Sequence, residues 1–284
     1  MSFLDHIRAC NDWDPQGFVP WILDGERIGL LRRAFSEELR RWPAQFDVTP
    51  EAVHWLPVAT DFAGRSAALA EVSAVLAEQG VVDPLVGEAY PVTPGQRRQA
   101  RLVIDRACAP SFGVRAFGQH LNGYVRSGEG LKLWIARRAA SRRHYPRRLD
   151  NLVGGGLPWG LGLAENLRKE CREEAGMDAR LADQAVAVGA VTYCRASPRG
   201  LKPDVMYCYD LELPEDFVPR CTDGEVEAFY LWPVEEVMAL VRDTDELKLN
   251  CNLVITDFVI RHGYLDPEDP EYLDIVQGLR GPLP

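Results

Sequence analysis

Several things are missing from this chain, and each absence removes a class of function. No run of apolar residues approaches the roughly 18 to 20 that a membrane-crossing helix needs, so no membrane partner is expected. Positive charge is scarce: 32 Lys and Arg face 42 Asp and Glu, for a net charge of -10. That balance argues against a general binder of nucleic acid or anionic lipid, and no nucleic-acid partner is expected. The seven cysteines (Cys10, Cys108, Cys171, Cys194, Cys208, Cys221 and Cys251) are odd in number and include no C-x-x-C pair. A disulfide framework or zinc knuckle is therefore not expected, and reduced, mostly buried thiols in a cytoplasmic protein are. Met1 to Asp14 carries Asp5, Asp12 and Asp14 and no apolar leader segment, which agrees with that location. The five histidines, His6, His54, His120, His144 and His262, show no H-E-x-x-H or paired spacing. P-loop, G-x-S-x-G and G-x-G-x-x-G patterns are also missing.

What is present is the composition of a folded protein, 46% hydrophobic and 26% charged over 284 residues. That length suits one large domain or two small ones. The first 110 or so residues read as a small α+β domain. Leu31, Ala34, Phe35 and Leu39 predict a helix over 26–41, stopped by Trp42-Pro43. Leu69, Val72, Val75 and Leu76 predict another over 66–79, with Gly80 at the cap position. A short strand is expected over 52–58 and a turn-rich hinge over 91–98. No catalytic constellation is visible here, so a scaffold or substrate lid is the expected role.

The second part alternates strands and helices. Strands are predicted at 131–137, 185–194, 204–213 and 226–232, and helices at 164–175, 233–242 and 252–261. The tail after Tyr264, rich in Pro, Asp and Glu, is expected to wrap the surface.

The informative stretch runs from Gly154-Gly155-Gly156 through Gly160 and Gly162 into a helix carrying Glu170, Glu173 and Glu174, ending at Gly176-Met177. At about 100° per residue the three glutamates share one arc of roughly 100°. Like charges so placed repel by about a few tenths of a kcal/mol per pair. A hard divalent cation such as Mg²⁺ reverses that cost, because it prefers carboxylate oxygens. Leu163, Leu167, Cys171 and Ala175 form the opposing apolar stripe. The glycine loop lets backbone groups approach an ion or phosphate closely. A solvated acidic helix after a flexible turn is the plainer alternative.

This segment resembles the signature of the Nudix hydrolases, G-x5-E-x7-R-E-U-x-E-E-x-G-U, with U a bulky aliphatic residue. Gly155 leads it; Glu170, Glu173, Glu174 and Gly176 match; Cys171 and Met177 take aliphatic places. Leu161 stands where the family has its first glutamate and Lys169 where it has arginine. In the family those two help fix the loop against the helix, so any role of the first glutamate does not carry over.

Residues outside the box are similar to the branch related to thiamine pyrophosphokinase. They include Leu133 to Arg138, Tyr145-Pro146, Leu149 to Pro158, Lys202-Pro203-Asp204, Tyr207 to Leu211, Leu213-Pro214 and Asp223 to Glu227.

The resemblance implies an α/β fold: a Nudix α/β/α sandwich with a mixed sheet over 116–284, preceded by a small α+β domain over 1–115. It implies hydrolysis of a diphosphate, including oxo and oxy analogues of thiamine diphosphate. It implies Mg²⁺, with Mn²⁺ as a substitute, on Glu170, Glu173, Glu174 and the Gly154 carbonyl. A further carboxylate usually comes from a later loop. Glu225 is the candidate for that ligand or base, with Glu227 in reserve. Glu173, Glu174 and Glu225 are thus the expected catalytic residues.

Arg137, Arg138, Arg142, Arg143, Arg147 and Arg148 concentrate positive charge beside the loop, where bidentate arginine contacts could grip a diphosphate. Arg137 and Arg138 at the strand end, with Gly155 and Trp159, are the expected substrate contacts. Trp134, Tyr193 and Phe229 are weaker candidates for a stacking platform, since core packing is the commoner fate of such residues. The expected function is Mg²⁺-dependent hydrolysis of a small diphosphate to monophosphates, in a chain that pairs as a homodimer. Two alternatives stand beside it. One is a nucleotide-directed enzyme acting on oxidised nucleoside diphosphates, ADP-ribose or dinucleotides. The other is a Nudix-fold module that binds a diphosphate without turnover.

Overall fold

The computed structural model of the chain describes residues 2–56, 60–128 and 130–284. In chain order the elements are α1 (Phe3–Cys10), β1 (Phe18–Leu23), β2 (Glu26–Arg32), α2 (Arg33–Leu39), β3 (Phe46–Val48), β4 (Val53–Trp55), α3 (Phe62–Glu78), β5 (Ala89–Val92) and β6 (Leu102–Asp105). Then come β7 (Ala116–Ser127), β8 (Gly130–Arg138), β9 (Leu149–Asn151), β10 (Val153–Gly156), α4 (Leu163–Ala175), α5 (Ala179–Ala182), β11 (Val186–Ser197) and β12 (Gly200–Glu212). The chain closes with β13 (Val226–Pro233), α6 (Val234–Asp243), α7 (Leu249–Arg261) and α8 (Tyr272–Gly278).

The N-terminal region builds a four-stranded sheet in the order β2-β1-β4-β3 and a separate β5-β6 hairpin. Asp24 and Gly25 both have positive φ, 51° and 80°, the geometry of a two-residue hairpin turn. That turn folds 26–32 back onto β1 as a strand, so the helix expected over 26–41 is confined to Arg33–Leu39. Strand β4 covers part of the stretch expected over 52–58; Pro57 and Val58 lie outside the described residues. Helix α3 begins earlier than expected because Asp61 caps it, accepting from the Gly64 N–H at 2.6 Å. Pro91 and Val92, placed in a hinge by their turn-forming neighbours, pair instead with β6. Trp21, Phe46, Trp55 and Phe112 fill the core with ring centroids 5.1 to 6.4 Å apart.

The second sheet has seven strands. Its main path is β11-β12-β7-β8-β13, with β10 paired to β7 and β9 to β8. Strand β12 runs parallel to β7 and the other pairs are antiparallel, so the sheet is mixed. Period-two alternation sorts β8 between two layers: Leu131, Leu133 and Ile135 face one core and Trp134 the other. Helices α1, α6, α7 and α8 cover the first face; α4 and α5 cover the second. The result is an α/β/α sandwich accompanied by an α+β region.

The chain's two ends depart from expectation. Phe3, Leu4, Ile7 and Cys10 of α1 are buried in the same core as α7 and α8. The tail, expected on the surface, contributes Ile275 and Leu279 to that core, and Gly278 lies against Ile7. The N-terminal region also meets the second sheet through Phe18 and Leu30, which pack on Cys194 and Leu201. No helix among the described residues is long and apolar enough to cross a membrane.

Candidate active site

The glycines do not form a loose loop. Gly154, Gly155 and Gly156 belong to β10 and pair with His120, Gln119 and Gly118 of β7. Glycines carry no side-chain pattern, so only the partner strand fixes them as a strand. The connection proper is 157–162, where Gly160 turns the chain with φ of 93°. Helix α4 then buries Leu167, Cys171 and Ala175, whereas Leu163 is exposed. Gly176 ends the helix in the left-handed conformation, at φ of 66°, and its N–H bonds the Arg172 carbonyl at 3.1 Å.

This arrangement sets the three glutamates at graded depths. Glu174 is buried, and its Oε2 accepts from the Gly154 N–H at 2.7 Å, tying helix to strand. Burial and the negative charge of Asp150 hold its carboxyl well above the usual carboxylate range, against the pull of that N–H. Glu170 lies against Gly155 so closely that a Cβ there would collide with its carboxyl group. Burial raises the Glu170 pKa, and Lys169 offsets part of the rise. Glu173 is the most open of the three and pairs with Lys169 Nζ at 2.9 Å. Lys169 also reaches Glu170 Oε1 at 3.2 Å. Burial works against the ammonium, but its hydrogen bonds to Glu173 and charge contact with Glu170 raise its pKa.

Glu225, just before β13, is ion-paired with Arg142, and its negative charge reaches both Glu170 and Glu174. The structure thus brings Gly154, Gly155, Glu170, Glu173, Glu174 and Glu225 to one place. Glu227 points elsewhere and accepts from the Ala140 N–H at 3.0 Å.

The donors are all oxygens, and buried Glu174 faces the charges of Asp150, Glu170 and Glu225 with one N–H as its hydrogen-bond partner. A hard divalent cation fits that set. A second cluster, His120, Asp150 and Cys251, also puts three ligand-type atoms within 4.8 Å of one another. It is already satisfied: Asp150 Oδ2 accepts from Arg138 at 2.9 Å and Lys248 at 3.1 Å, and Oδ1 from the Cys251 thiol at 2.6 Å. Burial opposes ionisation of Asp150, but Lys248, His120 and Arg138 outweigh it and hold the pKa far below normal. Two resident cations leave this cluster a structural role beneath Gly154.

The basic run is engaged largely within the protein. Arg138 is buried, with Asp150 on Nη1, the Tyr145 carbonyl on Nε and the His144 carbonyl on Nη2. Two arms of its guanidinium hold the 139–148 loop and the third holds Asp150 of β9. Arg137 bonds the Tyr230 hydroxyl at 3.1 Å and the Arg147 carbonyl at 2.8 Å. Arg143 and His144 reach Asp83 of the N-terminal region. Trp159 is half-buried and packs on Phe62, with centroids 5.4 Å apart. Tyr193 lies in the core, and Trp134 and Phe229 pack at the edge of the α4 layer.

Two further residues had little signal in the sequence. Asn166, fully buried in α4, donates to Gln119 Oε1 and the Gly156 carbonyl, both at 2.9 Å. A polar residue one turn before Glu170 was the available hint. Arg97 donates through Nη2 to the Pro158 and Leu161 carbonyls at 2.5 and 2.6 Å. Nothing near residue 97 announces that contact.

Comparison with known proteins gives these features a context. Residues 122–250 match the family described as NUDIX domain, and residues 2–116 match a domain of unknown function, DUF4743. The chain is 41% identical over 294 residues to "Nudix hydrolase 20, chloroplastic" of Arabidopsis thaliana, covering 98% of this chain and 78% of that one. It is also 41% identical over 283 residues to "Nudix hydrolase 24, chloroplastic" of the same organism, with the same coverage. A crystal structure of DR0079 from Deinococcus radiodurans aligns with 60% of this chain and 98% of its own, at 21% identity and a TM-score of 0.44. Identity of this extent over almost the whole sequence, with the glutamates gathered as described, makes the chain an enzyme of the Nudix hydrolase family.

Proposed function

We propose that this enzyme hydrolyses the phosphoanhydride of a small diphosphate, with oxo or oxy analogues of thiamine diphosphate as the substrate class. The observation that carries the hydrolytic reading is the meeting of Glu174 and Glu170 with the Gly154-Gly155 backbone, with the charges of Glu173 and Glu225 acting on them. The substrate class is supported by the segments similar to the thiamine pyrophosphokinase-related branch, from Leu133 to Arg138 through Asp223 to Glu227. The same reading treats 1–115 as scaffold or lid and 116–284 as the hydrolytic domain of a cytoplasmic homodimer.

Glu170, Glu173, Glu174 and the Gly154 carbonyl would hold Mg²⁺, or Mn²⁺ in its place. When bound, the cation supplies charge neutralisation for the diphosphate and acidity for a water molecule. The chain's own residues do the rest. Gly155, kept side-chain-free by Glu170, presents bare backbone to the substrate. Glu225, oriented by its ion pair with Arg142, takes a proton from the attacking water. The water oxygen bonds to phosphorus, the bridging P–O bond breaks, and the bridging oxygen leaves with the electron pair on the other phosphate.

The test is a panel assay with Mg²⁺ on thiamine diphosphate, its oxo and oxy forms, oxidised nucleoside diphosphates, ADP-ribose and a dinucleotide. The expected result is monophosphate from the thiamine-type compounds at the highest kcat/KM. Preference for nucleotides would replace the substrate class, and no product with any divalent metal would sink the hydrolytic reading.

A further inference from the structure

We propose that Arg97 of the N-terminal region is a positioning residue for the active site, fastening the 157–162 connection from outside the hydrolytic domain. The proposal rests on the reading of the Gly154 to Glu174 segment as the catalytic centre.

The connection is Leu157-Pro158-Trp159-Gly160-Leu161-Gly162. Apart from one indole N–H it has no side chain that can hydrogen-bond, so it cannot tie itself down. Yet it joins β10, which carries Gly154 and Gly155, to α4, which carries the three glutamates. Its conformation therefore governs how strand and helix meet. Arg97 supplies the missing tie. One nitrogen, Nη2, donates to the carbonyls of Pro158 and Leu161 at 2.5 and 2.6 Å, spanning the turn at Gly160. The guanidinium carbon lies 6.0 Å from the Trp159 ring centroid, and that ring packs on Phe62. Two backbone bonds reinforce the clasp: the Trp159 N–H to the Ala89 carbonyl at 2.7 Å and the Leu157 N–H to the Phe117 carbonyl at 2.9 Å. Arg97 Nε is buried without a partner among the described residues, a desolvation cost borne for the placement of Nη2. Charge-assisted bonds to carbonyls are stronger than neutral ones, which suits a clasp closed by a single residue.

The experiment measures amide hydrogen exchange and steady-state kinetics on the full chain, comparing wild type with Arg97→Met and Arg97→Lys. In Arg97→Met, exchange at Leu157 and Trp159 is expected to rise about tenfold or more while core amides of α7 stay protected. With turnover, kcat is expected to fall about tenfold or more, with a smaller change in KM. Arg97→Lys keeps a cation with several N–H donors and is expected to recover most of both. If Arg97→Met fails to fold, Arg97→Gln takes its place with the same expectation. Wild-type exchange in the Met or Gln variant, or a Lys variant no better than it, would overturn the proposal. Exchange is read without substrate or metal, so an enzyme that turns over no diphosphate would sink the hydrolytic reading while leaving this test intact.

Discussion

Glu174 and Gly154 are joined by a 2.7 Å hydrogen bond from backbone N–H to a buried carboxylate, so the deepest acid of the site also helps pin α4 to β10, alongside the Asn166–Gly156 bond. Position and charge are supplied by the same group, and they separate on substitution. Glu174→Gln keeps the acceptor and removes the charge. It is expected to melt at or above the wild-type temperature, because a buried carboxylate is replaced by a neutral amide. Its kcat is expected to fall about 100-fold or more with divalent metal present. Parallel melts and turnover assays check this, and full turnover would remove Glu174 from the metal set.

Gly155 is required by what stands opposite. A Cβ there runs into the Glu170 carboxyl group. Gly155→Ala should therefore displace Glu170 and raise the divalent-metal concentration needed for half-maximal activity by about tenfold. A metal titration of activity reads the shift. An unchanged midpoint would mean that Glu170 moves aside at no cost.

Asp150 is predicted to matter for folding before it matters for chemistry. Asp150→Asn strips the carboxylate from Arg138 and Lys248, leaving two cations without their buried partner. Breaking a buried pair in this way costs about 3 to 5 kcal/mol. Urea denaturation should show that loss, and a change below about 1 kcal/mol would show that water reaches the cluster.

His120 supplies a pH dependence. Its ring is fully enclosed, and burial lowers its pKa from 6.5 to about 4, with Lys248 adding to the effect. The unfolded chain binds this proton near 6.5 while the native chain refuses it until about 4. Between those values the unfolded state holds more protons, so stability falls as pH falls. The contribution is complete above pH 6.5 and lost towards pH 4, and the shift corresponds to about 3 kcal/mol. Denaturation at pH 7.5 and 4.5 should show a smaller acid loss in His120→Asn than in wild type. Glu170 and Glu174, with raised pKa values, act with the opposite sign above the normal carboxylate range, so the difference between variants is the informative quantity.

The parts of the site that were legible in the sequence are those whose partners lie close along the chain. Glu170, Glu173, Glu174 and Gly176 share one helix and its cap, and helical geometry alone places them. Strands such as 131–137 announced themselves by alternation. Contacts made across long separations left no local trace. Arg97 meets Pro158 sixty-one positions away, and Asp83 collects Arg143 and Arg199 from two distant loops. Arg138 and Arg142 look alike in sequence, and only the fold assigns one to Asp150 and the other to Glu225. The hairpin at Asp24-Gly25 shows a different failure: its turn signal was present, but the helical spacing of Leu31, Phe35 and Leu39 overrode it.

Helix α1 packs against α7 and α8, so residues 3–10 and 249–278 complete one core although they stand far apart along the chain. During translation the apolar side of residues 3–10 must wait for residues 249–278 to emerge, a long interval in which a holdase or a neighbouring nascent chain can capture it. Severing these residues from the body would uncover the faces of α7 and α8 on which they pack. Fragments that start at residue 116 are therefore expected to be poorly behaved, whatever their catalytic competence.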